Sequence, residues 1–322
     1  MSAGHAGAER SQERTEGRWP VFCACEEDVK GGHTLRNIHR YGWVFMQFMT
    51  TPDIDSLLKR IGCPRPPRPD APALRGLYRA WRRQVPYENI DTQLGRPIIL
   101  EAGELIGKFG HRRRGGQCFE ANAAFALLLR GIGYEATLVD GAADRETHGD
   151  ERWGGHNALL VRSQDETWLV DVGLADPFLE PLPLREGRYR LGEFEYALER
   201  LDEEVWRAHH HPAALLSSVD FRTAAREFSQ YVARANSERG QLMVHLHKDG
   251  YKHALRARTV RRVTRAGDTQ AHTLTSVEEF AQTLAEVFGV PLDDLGTGGL
   301  HALWAITGEQ HARWLSNRAN AR

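Results

Sequence analysis

The sequence predicts an α+β fold with a helical first part, a β-rich middle and a helical end. Apolar residues recur at helical spacing from Ile54 to Leu129. After Gly131-Ile132-Gly133 the pattern changes to short runs rich in Val, Leu and Thr, and helical spacing returns at Thr275.

The elements follow in order. Residues 1–48 differ from the rest. The first eighteen are rich in Gly, Ala, Ser, Glu and Arg and are expected to be disordered. Met46 and Met49 stand just before a pattern that starts afresh, so 1–48 reads as an extension or as the product of a mis-set start codon. Thr50-Thr51-Pro52-Asp53 reads as a helix N-cap with proline in the first turn, ahead of Ile54, Leu57 and Leu58. Residues 63–72 form a proline-rich loop. Leu74 to Gln84 is a helix that Pro86 ends, and helices are expected over Glu101–Phe109 and Phe119–Arg130. Strands are expected at Tyr134–Val139, Asn157–Val161, Thr167–Val172, Tyr189–Leu198 and Gln241–Leu246, making a small antiparallel barrel or sheet. Ser276 caps a helix running to Phe288, with Glu279 at its third position and Gly289 ending it; Gly298–Leu315 is the final helix. The domains expected are a bundle over 49–130, a barrel over 131–245 and a last unit over 246–322.

The 322 residues are 41% hydrophobic, enough for a sizeable core. Basic and acidic side chains number 42 and 43, which argues against a nucleic-acid or membrane partner. No apolar run approaches the roughly 20 residues of a membrane helix, and the polar N-terminus does not read as a secretory signal. Four scattered cysteines do not make a disulfide framework, so a reducing cytoplasm is expected. Cys23-Ala24-Cys25 with His33 or His39 lacks a second cysteine pair, and no metal site is expected.

The chemistry concentrates in three segments. Cys118 follows Arg114-Gly115-Gly116-Gln117 and opens the helix-patterned run from Phe119, where backbone N–H groups favour a thiolate. Gly154-Gly155-His156 enters an apolar strand. Trp168-Leu169-Val170-Asp171-Val172-Gly173 is a strand ending in an acid. Cysteine, histidine and aspartate in this order suit a thiol nucleophile whose base is oriented by a carboxylate.

Each residue has a plainer reading. A lone cysteine is usually a small buried hydrophobe. The diglycine argues otherwise, because Gly115 and Gly116 would let the backbone approach a reacting carbonyl and the Cys118 N–H help hold an oxyanion. Among fifteen histidines most must be bland. The tract His209-His210-His211 before Pro212 reads as a solvated loop in preference to a metal site. Asp171 between two valines needs a partner, for which an imidazole serves; its plainer reading is a turn cap before Gly173. Asp176 before Pro177 reads as a turn residue. Glu120 is expected to pair with Arg114 and, with Asn122, to support the site structurally.

Taken together, these residues resemble the arylamine N-acetyltransferase family. Arg114-Gly115-Gly116-Gln117-Cys118-Phe119-Glu120 is similar to its nucleophile motif, and Val85-Pro86-Tyr87-Glu88-Asn89-Ile90-Asp91 to an earlier signature. The histidine strand, the aspartate strand and Pro181-Leu182-Pro183-Leu184 follow in the family's order, over about residues 50 to 290. The resemblance implies a helical bundle, a β-barrel and a C-terminal α/β lid around a cysteine-protease-like core. It implies ping-pong acyl transfer through Cys118, His156 and Asp171, with no permanently bound cofactor. The acyl donor would be acetyl-CoA or another thioester, and the acceptor an arylamine, arylhydrazine or N-hydroxyarylamine. Backbone amides near Trp153 and Cys118 would hold the oxyanion, and Tyr87, Gln117, Trp153, Gly154 and Leu174 would meet substrate. Two departures touch the acceptor: Leu174-Ala175 stands where the family has Phe-Gly, and Tyr87 replaces a phenylalanine.

Three other functions remain. Related amide synthases take a long acyl chain from a carrier protein and close a macrolactam, which the smaller Leu174 favours. A thiol hydrolase shares the Cys, His, Asp order. A non-catalytic homologue would not need all three residues.

Overall fold

The computed structural model describes residues 51–320 except 193, 212–213, 238–239, 249–250 and 265–268. The extension over 1–48, with Cys23, Cys25, His33 and His39, lies outside the described residues.

The first part is helical, as the spacing predicts. It comprises α1 (Thr51–Ile61), α2 (Ala71–Gln84), a two-residue strand β1 (Tyr87–Glu88), α3 (Ile90–Gln93), α4 (Ala102–Ile106) and α5 (Cys118–Ile132). Asp70 caps α2 by accepting from the Ala73 N–H, and the helix stops at Val85, ahead of Pro86. The helix over 101–109 is α4 continued by a wider turn through His111. Every side chain of α5 from Cys118 to Leu129 is buried. A helix apolar on all sides must be central, and α5 packs on α1, α2, α4 and two barrel strands. Trp81 stacks on Phe109 at 5.6 Å and meets Phe125 edge-on at 5.0 Å. Burying each such side chain contributes about 1.5–3 kcal/mol.

The middle part is an antiparallel eight-stranded sheet curled into a nearly closed barrel. Its strands are β2 (Glu135–Ala143), β3 (His156–Ser163), β4 (Glu166–Val170), β5 (Leu182–Pro183), β6 (Gly187–Leu191), β7 (Phe194–Arg200), β8 (Val205–His209) and β9 (Ser218–Ala225), in the order β5-β4-β3-β2-β9-β8-β7-β6. A short helix α6 (Arg145–His148) links β2 to the loop before β3. The single run expected at Tyr189–Leu198 is the hairpin β6–β7: Gly192, at φ +63°, turns the chain where side-chain alternation gave no sign of a break.

After α7 (Val232–Ser237) comes a second antiparallel sheet of β10 (Met243–Lys248), β11 (Tyr251–Arg256), β12 (Thr259–Val263) and β13 (Thr269–Thr273), with β1 on its edge. The strand expected at 241–246 therefore belongs to this sheet and not to the barrel. Alternation marks a strand but not its partner. Helices α8 (Val277–Gln282) and α9 (Leu292–Asn320) cover one face, where Val244, Leu246 and Leu255 pack on Phe280, Leu284 and Phe288. Ser276 caps α8 through Glu279, and Gly289 takes a left-handed conformation as expected. Gly296 breaks α9 near its start, close to the expected beginning at Gly298. Among the described residues no helix is long and apolar enough to cross a membrane.

The histidine tract is not a solvated loop. His209 ends β8, His210 stacks on Phe178 at 4.6 Å, and buried His211 stacks on Phe194 at 4.0 Å. Flat aromatic neighbours, Phe178 from the loop after β4 and Phe194 from β7, hold these rings.

Candidate active site

Three elements deliver three side chains to one point. Cys118 is the first residue of α5, His156 the first of β3, and Asp171 follows the end of β4, which pairs with β3. The His156 ring lies between the other two groups. Its Nε2 is 2.6 Å from Asp171 Oδ2, and it is hydrogen-bonded to the Cys118 thiol. All three are buried. Burial opposes the imidazolium, but the Asp171 carboxylate and the bond to Cys118 outweigh it, and the His156 pKa rises to about 10.

Asp171 is fixed by more than histidine. Its Oδ1 accepts from Asn122 Nδ2 at 3.0 Å and from the Gly173 N–H at 2.9 Å. Asn122 also donates to the Asn157 carbonyl at 2.7 Å and accepts from the Val172 N–H at 2.9 Å. It thereby ties α5 to β3 and to the aspartate turn. Sequence reasoning gave Asn122 only general support. Its position four residues after Cys118, on the same helix face, was the available signal. Gly173 was read as a local turn and has a sharper reason. A Cβ there would lie 2.8 Å from Cys118 Cα and 2.5 Å from Asn122 Nδ2, so only glycine lets the acid-bearing strand end come this close. Gly141, opposite His156 in the β2–β3 ladder, leaves room for that ring.

The diglycine does not open onto a reacting carbonyl. A Cβ at Gly115 would sit 2.0 Å from the Pro86 carbonyl oxygen, and one at Gly116 would strike Phe109 and Glu120. Both glycines let the loop pack against the protein itself, where Gly116 bridges Tyr87. Arg114 does not pair with Glu120. It donates to Glu88 Oε1 from Nη2 at 2.7 Å and to Asp294 Oδ2 from Nη1 at 2.6 Å, because the Val85–Asp91 segment and the start of α9 lie against it. Glu120 instead accepts from Lys108 Nζ at 2.6 Å and from the Gln117 N–H. Lys108 also meets Asp91 at 2.7 Å. Burial opposes all these charges. Lys108 and Arg114 nevertheless hold the Asp91 carboxyl down at about 2, and the carboxylates raise both bases.

The expected substrate residues divide. Tyr87 lies opposite His245 in the β1–β10 ladder, and buried Leu174 directly follows Gly173. Gln117 is committed elsewhere, its amide donating to the Ala235 carbonyl at 2.9 Å. The Trp153 N–H donates to the Asp150 carbonyl, which removes it as an oxyanion donor, and the Trp153 ring lies under the Arg222 and Arg145 guanidinium groups. Gly154, at φ +76°, makes the turn that feeds His156 into β3. Among the described residues no three His, Cys, Asp or Glu side chains converge as metal ligands.

Comparison with known proteins finds one family. A profile of the N-acetyltransferase family matches residues 70–296. The chain is 29% identical over 264 residues to an arylamine N-acetyltransferase of Mycolicibacterium smegmatis, covering 76% of this chain and 94% of that protein. It is 31% identical over 163 residues to proansamycin X synthase of Amycolatopsis mediterranei, covering 46% and 62% respectively. The solved structure of the M. smegmatis arylamine N-acetyltransferase superposes with a TM-score of 0.71 at 26% identity, over 79% of this chain and 98% of that one.

Proposed function

Because the chain belongs to the arylamine N-acetyltransferase family, we propose that it moves an acyl group from a thioester, acetyl-CoA first among them, to an arylamine, arylhydrazine or N-hydroxyarylamine through an acyl-Cys118 intermediate. The observation that carries this reading is the His156 ring held between the Cys118 thiol and the Asp171 carboxylate.

The chemistry follows from that arrangement. His156, held as the imidazolium by Asp171, carries the thiol proton, and the Cys118 sulfur attacks the thioester carbonyl. The donor's C–S bond then breaks, and the leaving thiolate receives the proton from His156. Arylamine nitrogen, whose lone pair is unprotonated near pH 7, attacks the acyl-cysteine. Its proton passes to His156, the Cys118–acyl bond breaks, and the sulfur leaves beside the restored imidazolium. Backbone N–H groups at the start of α5 favour the developing oxyanion. A free thiol and this donor favour the cytoplasm as the compartment of the reaction. Read as bundle, barrel and lid, the chain would carry the nucleophile on its first unit and its base and acid on the second.

A second reading, amide formation from an acyl chain on a carrier protein, is favoured by Leu174-Ala175 at the pocket and by the similarity to proansamycin X synthase. Acetyl transfer to an arylamine, followed by thiol release, tests the proposal. Cys118→Ala should abolish it while thermal unfolding stays cooperative. Turnover persisting near the wild-type rate would rule out the covalent route. Thiol release that does not depend on the amine would mark a hydrolase.

A further inference from the structure

The loop that carries the nucleophile is gripped from the far end of the chain. Asp294 lies 180 residues beyond Arg114 in sequence, yet both of its carboxylate oxygens reach the arginine run ahead of Cys118. Oδ2 accepts from Arg114 Nη1 at 2.6 Å, and Oδ1 stands 3.5 Å from Arg112 Nε. Arg113, between the two gripped residues, is held at φ +56°, in the left-handed region that a bulky side chain seldom adopts. A non-glycine residue stays there only where its surroundings over-determine it. Here the surroundings are the two flanking grips and the bond from the Arg114 N–H to the Lys108 carbonyl at 3.0 Å.

Asp294 is itself set by the break in α9. Gly296, at φ +66°, interrupts the helix directly after Leu295. A helix end leaves carbonyls without partners. Those of Asp294 and Leu295 accept from Arg96 Nη1 and Nη2 at 3.5 and 3.4 Å. The Leu295 side chain is buried in one cluster with Ile90, Phe280 and Phe288. The turn that begins α9 is thus seated against α3, and its carboxylate projects at the loop. From Arg114 the connection to sulfur is short. Its Nε and Nη2 donate to Glu88 Oε1, the Glu88 N–H donates to the Gly116 carbonyl at 3.0 Å, and Cys118 follows two residues later.

We infer that Asp294 is a positioning residue for Cys118: through Arg112 and Arg114 it holds a strained loop in the shape that presents the thiol to His156. A plain anchor for α9 would not need the carboxylate. Leu295 and the Arg96 bonds to backbone carbonyls already anchor that turn, and among the described residues the Asp294 side chain is committed to the loop arginines alone. The strained residue lies between its two contacts. The geometry of the nucleophile is therefore set jointly by the first and last parts of the chain. The inference rests on the acyl-transfer reading only for what the thiol attacks; the reactivity of the thiol does not depend on it.

The test is Asp294→Asn in the full chain, which keeps the shape and removes the charge. Alkylation of Cys118 by iodoacetamide, mapped by peptide mass, is followed across the pH range in which thiols and imidazoles titrate. Urea unfolding and acetyl-transfer kinetics accompany it. Alkylation and kcat should fall by about tenfold or more, since a displacement of roughly 1 Å can cost about a hundredfold, while the KM for acetyl-CoA stays unchanged. The pH profile of alkylation should move toward that of an ordinary thiol, because the thiolate loses its imidazolium. Arg112→Met removes the longer grip at an exposed side chain and should slow alkylation by a smaller factor. It decides the matter if the aspartate variant does not fold. Alkylation at the wild-type rate and pH profile overturns the inference, however much stability is lost, as does a raised KM with kcat intact. Slowed alkylation in a protein whose wild type transfers no acetyl group sustains the positioning role and refutes the acyl-transfer reading instead.

Discussion

The charged cluster that anchors the Cys118 loop and the imidazole-rich cluster behind Leu174 are both buried, yet only the first is closed on itself. In the first, Lys108 meets Glu120 and Asp91, and Arg114 meets Glu88 and Asp294, all within 2.7 Å. These contacts fasten the nucleophile loop to α3, to β1 and to the start of α9. In the second, Asp176 engages Lys252 while Arg82, His210, His245 and His247 keep buried nitrogens unpaired. The difference separates construction from recognition. A network whose members satisfy one another fixes a loop, whereas donors without acceptors are poised for a partner that the chain does not supply.

The sharpest way to break this contrast is to unbalance the closed network. Glu88→Gln should destabilise the protein by about 3–5 kcal/mol, because it leaves the Arg114 guanidinium buried without its most deeply buried carboxylate. Urea unfolding measures this, and a loss below 1 kcal/mol would place the pair with ordinary surface ion pairs. A middle-sized effect concerns His156. Its folded pKa is about 10 against an ordinary 6.5, so the folded state favours the imidazolium. That contribution is present in full below pH 6.5 and is lost as pH rises through about 10. Stability measured across this window should fall more steeply for the wild type than for His156→Gln. Equal slopes would show that the imidazole carries no such charge. The smallest effect is expected in the open cluster. Arg82→Met removes a cation with buried, unpaired nitrogens and should change stability by less than about 1 kcal/mol or raise it. A loss as large as that of Glu88→Gln would mean that both clusters are structural.

Much of this arrangement was legible in the sequence for physical reasons. Helical spacing, the Pro86 stop and the Ser276 cap are local signals, and each marks an observed element. Cys118, His156 and Asp171 stood out because each combines reactive chemistry with an abrupt turn or an apolar strand. Pairing was not legible. Glu120 finds Lys108 and not Arg114, and β10 joins the second sheet, because partners far apart in sequence leave no mark on local pattern. The glycines were read for the wrong neighbour: Gly115 makes room for Pro86, while Gly173 makes room for Cys118 itself. The histidine tract looked solvated because its aromatic neighbours, Phe178 and Phe194, lie on other segments.

The central claim is that Cys118 carries the acyl group, and intact-protein mass spectrometry after brief exposure to acetyl-CoA tests it most directly. The account predicts a gain of about 42 Da, mapped to the Cys118 peptide and discharged when an arylamine is added. An unmodified mass under conditions of active transfer, or an acetyl group on any other residue, would contradict it.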